Sequence, residues 1–170
     1  MLTLYVPKLE DFWYEQKLQN DPKTMEYNAG YDVSYHGYHY DTGCIDFPQT
    51  RWQEVYDKRI NENRFFAYLR DLETNDFVGY VNYHLNKNDN RYECGIVIEA
   101  KHRGKGYSKE GLKLLCEKAK ADGIDYLYYN FEKERPGIKV FLDLGFKILE
   151  ETKWKKFGKD VVGIIVKKEL

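Results

Sequence analysis

The chain has 170 residues, enough for one domain with a substantial core. Its 27 lysines and arginines oppose 28 aspartates and glutamates, a net charge of -1, which excludes a global attraction to nucleic acid or an anionic membrane and makes any basic site local. Cys44, Cys94 and Cys116 are odd in number and lack CxxC spacing, which argues for reduced thiols in the cytoplasm over a disulfide framework.

The opening MLTLYVPKLEDFW has neither the basic n-region nor the apolar run of a signal peptide, and no segment approaches the ~20 apolar residues of a membrane span. Leu2, Leu4 and Val6 alternate with Thr3 and Tyr5, predicting a strand that Pro7 ends. Leu9, Phe12, Trp13 and Leu18 recur near helical spacing until NDPK punctuates the chain. Residues 26–46 mix glycine, aspartate, tyrosine and histidine without a period and predict a long loop, a feature that in compact domains is often functional. Trp52, Val55, Tyr56 and Ile60 mark a second helix with Thr50 as its expected N-cap. Three strands follow, RFFAYLRD, FVGYVNYHL and RYECGIVIE, joined by the turn-forming LETND and NKNDN, as in an antiparallel meander.

Next come two glycines, Gly104 and Gly106, and then a helix stripe of Leu112, Leu115, Cys116 and Ala119 that Gly123 closes. IDYLYYNF predicts a strand, and Ile138, Phe141 and Leu142 a helix stopped by Gly145. FKILEETKWKK and VVGIIVKK flank FGKD as a closing hairpin whose edge is available for a homodimer. There is no repeat or linker, so residues 1–170 are expected to form a single domain. Meander strands followed by strand–helix alternation predict an α/β (α+β) fold. Its expected form is a mixed, mostly antiparallel twisted sheet of about seven strands with helices on both faces.

The stretch RGKGYS sits between a branched apolar strand and a helix start. Two glycines permit positive φ and close approach to main chain, and successive N–H groups at a helix start cradle an anion, with Arg103 and Lys105 adding charge. The chemistry called for is a phosphate, above all a diphosphate. No Gly-Lys-Ser/Thr completes a P-loop, and Lys109 fills the third glycine position of a dinucleotide fingerprint. RGKGYS resembles the Q/R-x-x-G-x-G/A signature of the GNAT (Gcn5-related) N-acetyltransferase superfamily. Arg103 and Gly106 fill the first and fourth positions, and Ser108 stands where Gly or Ala is usual. PGIKVFLDLGFKIL resembles that family's late helix and its following Gly-Phe, here Gly145-Phe146. The element order is similar across nearly the whole chain, most of all to the ribosomal-protein acetyltransferase-like subgroup.

The resemblance implies acetyl-CoA as cosubstrate and no metal. The diphosphate would lie on the main chain of Arg103, Gly104, Lys105, Gly106, Tyr107 and Ser108, and the pantetheine arm along the strand edge at Ile96, Val97 and Ile98. The acceptor is a small-molecule or peptide amine, with no nucleic acid or membrane partner. An amine near pKa 10.4 must lose a proton before it attacks, so a base is required. Glu93 in YECGIVI is one candidate, which the resemblance supports, and strict alternation places it with Gly95 and Val97 unless a bulge near Gly95 changes the phase. His84 is the other. The family's late-helix Tyr corresponds to Phe141 and its Asn to Glu134, which leaves no assigned acid; Asn130 is the candidate for a polar positioning role. Asp32, Asp41 and Asp46 among tyrosines are expected to favour a cationic amine. His36, His39, Asp41 and Cys44 have no metal-ligand spacing. The loss of the hydroxyl at Phe141 leaves a non-catalytic acyl-CoA-binding module as the alternative.

Overall fold

The computed structural model describes residues 1–170. The chain forms seven strands: β1 (Leu2–Tyr5), β2 (Phe65–Asp71), β3 (Phe77–Asn86), β4 (Arg91–Ile98), β5 (Tyr126–Glu132), β6 (Lys147–Lys156) and β7 (Lys159–Glu169). Five α-helices accompany them: α1 (Trp13–Gln19), α2 (Pro22–Met25), α3 (Trp52–Asn61), α4 (Tyr107–Ala121) and α5 (Ile138–Asp143). All seven strands join one sheet in the order β1-β2-β3-β4-β5-β7-β6, antiparallel throughout except for the β4–β5 neighbours. The mixed, mostly antiparallel sheet expected from the sequence is therefore present.

Period-2 patterning assigns the two faces. Leu69, Val81, Cys94 and Ile98 turn to α4, whose Leu112, Leu115, Cys116 and Ala119 form the buried stripe; Leu127, Phe131, Ile164 and Val166 continue this core to Phe141 of α5. On the opposite face Tyr68 packs with Tyr14 and Leu18 of α1. There Arg59 of α3 donates two bonds to the fully buried carboxylate of Glu15, at 2.8 and 2.6 Å, and Tyr68 donates a third at 3.1 Å. The Arg59 guanidinium also lies over the Phe66 ring at 3.6 Å. A carboxylate in this position is tolerable because each oxygen is bonded and its charge is matched.

Two local expectations change and a third holds. Thr50 does not cap α3: Pro48 leads into a 3-10 turn over Gln49–Arg51, so Thr50 falls inside that turn and Arg51 takes the cap position without a side-chain bond. NDPK does more than end α1. Asp21 caps the short α2, accepting from Lys23 N at 3.1 Å and from Thr24 Oγ1 at 2.6 Å, and Pro22 occupies the first turn, where its missing N–H costs nothing. Residues 26–46 form the long loop that was expected, with a 3-10 turn at Glu26–Asn28 and one bridge between Tyr38 and Ile45. That segment is tied to the β6–β7 hairpin by Phe157 N donating to Gly30 O at 2.8 Å. The hairpin turns at Phe157 and Gly158, both left-handed at φ 51° and 70°, the two-residue geometry that matches strand twist.

Candidate active site

Two features of the sheet create the site. The first is the β4–β5 junction. Register between these strands is confined to Glu93 and Tyr128. Beyond that pair β4 stays bonded to β3 as far as Ile98, while β5 pairs with β7. The strands therefore splay, and the β5-facing edge of Ile96, Val97 and Ile98 has no strand partner. A cavity of about 210 Å³ fills the gap, lined by these three residues with Tyr27, Ser108, Tyr129, Arg135 and Phe141 among others.

The second is the loop that carries β4 into α4. After a 3-10 turn at Ala100–His102, Gly104 and Gly106 take left-handed φ values of 78° and 80°, and α4 starts at Tyr107. A Cβ at either glycine would meet nothing within 4 Å, so glycine is required here by backbone conformation, and the space beside it is open. No N–H from Gly104 to Ser108 donates to a backbone carbonyl. Five successive free amides at the head of a 15-residue helix form an anion cradle reinforced by the helix dipole. A diphosphate fits this donor set, and the adjoining apolar slot with its free strand edge fits an extended chain of amides.

The individual side chains divide by role. Lys105 is exposed and has no ion-pair partner. Arg103 is engaged elsewhere: it donates to Thr24 O and Lys23 O, both at 3.1 Å, to Glu26 Oε1 at 3.3 Å and to Ile98 O at 3.4 Å. It thereby fastens the loop to α2. Tyr107 donates to Asp71 at 2.5 Å, and this bond holds the Asp71 carboxyl below its ordinary range. Arg103 and Tyr107 thus have structural side chains; the Arg103 N–H is itself donated to Ala100 O at 3.2 Å, so the sequence expectation of a main-chain contact fails at Arg103, and the free amides begin at Gly104. Ala100 N donates to Thr24 Oγ1 at 3.0 Å, a second tie between α2 and the loop.

Glu93 and His84 face each other in the β3–β4 register, Nε2 to Oε2 3.6 Å apart. That register is unbroken from Gly79–Ile98 to Asn86–Arg91, so no bulge at Gly95 alters the phase. Glu93 shares its face with Gly95 and Val97. Asn86 Nδ2 donates to Glu93 Oε1 at 2.8 Å. Burial, and then the Arg64 charge, lowers the His84 pKa and favours neutral imidazole. Glu93 and Asn130 line one cavity of about 300 Å³ together with Arg91, Tyr128 and Tyr129.

Phe141 is buried and stacks on Tyr129, with ring centroids 4.4 Å apart and an interplanar angle of 13°. Asp32 and Asp41 are exposed, Asp46 is bonded to His39 at 2.9 Å, and none of the three lines either cavity. His36, His39, Asp41 and Cys44 do not assemble: no group of three or more such side chains is placed to hold a metal ion. No helix is long and apolar enough to cross a membrane. Sequence periodicity did not point to Tyr27 or Arg135 at the site. Both come from irregular backbone, and the Arg135 guanidinium lies over the Tyr27 ring at 5.5 Å.

Residues 26–146 match the family described as the acetyltransferase (GNAT) family. Among solved structures, spermidine N-acetyltransferase from Vibrio cholerae in complex with CoA and spermine shares 19% identity at TM-score 0.77, over 99% of this chain and 95% of that one. Phosphinothricin acetyltransferase from Sinorhizobium meliloti in complex with AcCoA shares 16% identity at TM-score 0.77, over 99% and 88%. Ribosomal-protein-alanine N-acetyltransferase from Brucella melitensis shares 17% identity at TM-score 0.76, over 100% and 99%. A search of curated proteins finds no match. At these identities the structural likeness speaks for the fold.

Proposed function

Because this chain belongs to the acetyltransferase (GNAT) family, we propose that it transfers an acetyl group from acetyl-CoA to a primary amine by direct attack in a ternary complex. Residues 1–170 act as one acyl-CoA-dependent N-acetyltransferase domain. The observation that carries this reading is the junction of the β4–β5 splay with the free amides of Gly104 to Ser108.

Acetyl-CoA supplies the activated thioester. The main chain from Gly104 to Ser108 holds its diphosphate, and the free edge at Ile96, Val97 and Ile98 pairs with the amides of the pantetheine arm. Glu93 takes the proton that the amine must lose, and Asn130, in the same cavity, positions the acceptor. An N–H at the β4 end near Ile98 is placed to meet charge developing on the carbonyl oxygen.

The acceptor is a small-molecule or peptide amine. The Brucella relative supports the ribosomal-protein subgroup, and the Vibrio and Sinorhizobium relatives support polyamine and amino-acid-like acceptors. The exposed Asp32 and Asp41 give no support to a dedicated cationic cleft. Three free cysteines, all buried, support a reducing, cytoplasmic setting, and the edge strand β6 is the surface on which a homodimer would form.

The test is release of free thiol from acetyl-CoA with spermidine, phosphinothricin and a peptide bearing N-terminal alanine. Thiol release that depends on an amine is the expected result. CoA binding without release across the panel would replace the enzyme by the non-catalytic binding module that the missing hydroxyl at Phe141 favours.

A further inference from the structure

Tyr129 is the one side chain that lines both the cavity of the β4–β5 splay and the cavity that holds Glu93 and Asn130. It stands on the wall between the place where the cofactor arm would run and the place where the proton-accepting carboxylate waits. The ring is fixed on one side by the stack on Phe141 and braced by Phe131, whose centroid lies 5.0 Å away. Its hydroxyl makes no protein hydrogen bond, and it is not among the polar atoms sealed from solvent without a partner. A hydroxyl that is open to solvent and bonded to no protein group can donate to a bound molecule without breaking an existing protein bond.

We infer that Tyr129 is a catalytic residue of the acetyl transfer, donating a hydrogen bond from its hydroxyl to the sulfur that departs as the thioester breaks. The assignment rests on the acyl transfer proposed above. The nitrogen of the neutral amine bonds to the carbonyl carbon, the carbon–sulfur bond breaks, and its electron pair stays on sulfur. The proton shed by nitrogen passes to Glu93 and on to water, and a proton from water reaches the sulfur as CoA leaves. Tyr129 ends the cycle protonated. Burial and the nearby Tyr27 hydroxyl push its pKa well above the ordinary tyrosine value, whereas a free thiol ionises near 8.5. Full proton transfer to a thiolate would be uphill, so the hydroxyl acts as a fixed donor, in the manner of a group aimed at developing charge. The hydroxyl missing from Phe141 is thus supplied by the ring stacked on it.

The deciding variant is Tyr129→Phe, which keeps the stack and removes only the oxygen. Two readouts are taken. The first needs no acceptor: calorimetric affinities for CoA and desulfo-CoA at pH 10, where a substantial share of the thiol is ionised. A hydrogen bond to a charged group is worth about 1.5–3 kcal/mol, so wild type should prefer CoA over desulfo-CoA by about tenfold or more, and Tyr129→Phe should lose that preference while binding desulfo-CoA as wild type does. The second is thiol release with the three amines above. Loss of one charge-stabilising donor costs on the order of 10²-fold in turnover, and Phe141→Tyr in the Tyr129→Phe background should restore part of it. An unchanged CoA preference, or turnover within about threefold of wild type where wild type is active, overturns the role of Tyr129 and leaves the acetyltransferase reading standing. Wild type that binds CoA without turnover sinks that reading, while the CoA preference still decides the sulfur contact. No binding of CoA by wild type removes both.

Discussion

Glu93 and His84 are 3.6 Å apart across β3 and β4, and they line different cavities. Glu93 opens into the cavity with Asn130, whereas His84 lines a separate surface hollow with Glu62, Arg64 and Asn88. Glu93→Gln keeps the size and the Asn86 contact and removes the base. Turnover should fall on the order of 10²-fold or more, with calorimetric CoA affinity unchanged, and His84→Asn should stay within about threefold. The reverse order of losses would hand the base role to His84. The face of Glu93 was legible in the sequence, because strict alternation groups it with Gly95 and Val97 and the unbroken register keeps it there; its candidacy as the base was supported by the family resemblance. The two loop glycines were visible because positive φ has few residue types that tolerate it. The engagement of Arg103 was not, since its partners Lys23 and Thr24 on α2 and Glu26 just after it are far away in sequence.

At the scale of elements, α1 and α3 are joined through one buried charge. Glu15 sits fully buried under both nitrogens of Arg59 and the Tyr68 hydroxyl. Arg59→Met retains packing against Phe12 and Phe66 but leaves the carboxylate unpaired. Breaking one side of such a pair costs about 3–5 kcal/mol, and chemical denaturation should show a loss of that order. Adding Glu15→Gln should recover part of it; a loss below about 1 kcal/mol in the single variant would show that Glu15 is not held as a buried ion. The strands and the α4 stripe were legible because burial imposes a period on them. The short α2 was hidden because one turn shows no period, and its Asp-Pro start resembles a helix stop. Thr50 failed as a cap for a similar reason: Pro48 starts the turn early, and a cap is recognisable only once the first turn is located.

Across the whole molecule, local pattern accounts for the sheet content, and three-dimensional packing accounts for the site. Turn chemistry at LETND and NKNDN foretold the β2–β3–β4 meander, and the Phe157–Gly158 turn closed the last hairpin. The β4–β5 divergence has no local signal, because β5 is paired with β7 along its whole length and meets β4 only at Tyr128, a relation that no neighbouring residue announces. Tyr27 reaches the cavity from a segment without a period, and the strand pattern of IDYLYYNF does not set Tyr129 apart from its neighbours. The fold brings the splay and the amide row together, and every functional assignment depends on that meeting. The direct test is calorimetric titration of the folded protein with CoA and, separately, with pantetheine, which lacks the diphosphate. A one-to-one heat with CoA and affinity for pantetheine weaker by about 100-fold is predicted, since charge-assisted bonds to several amides are lost. No heat with CoA, or equal affinity for the two, would contradict the account.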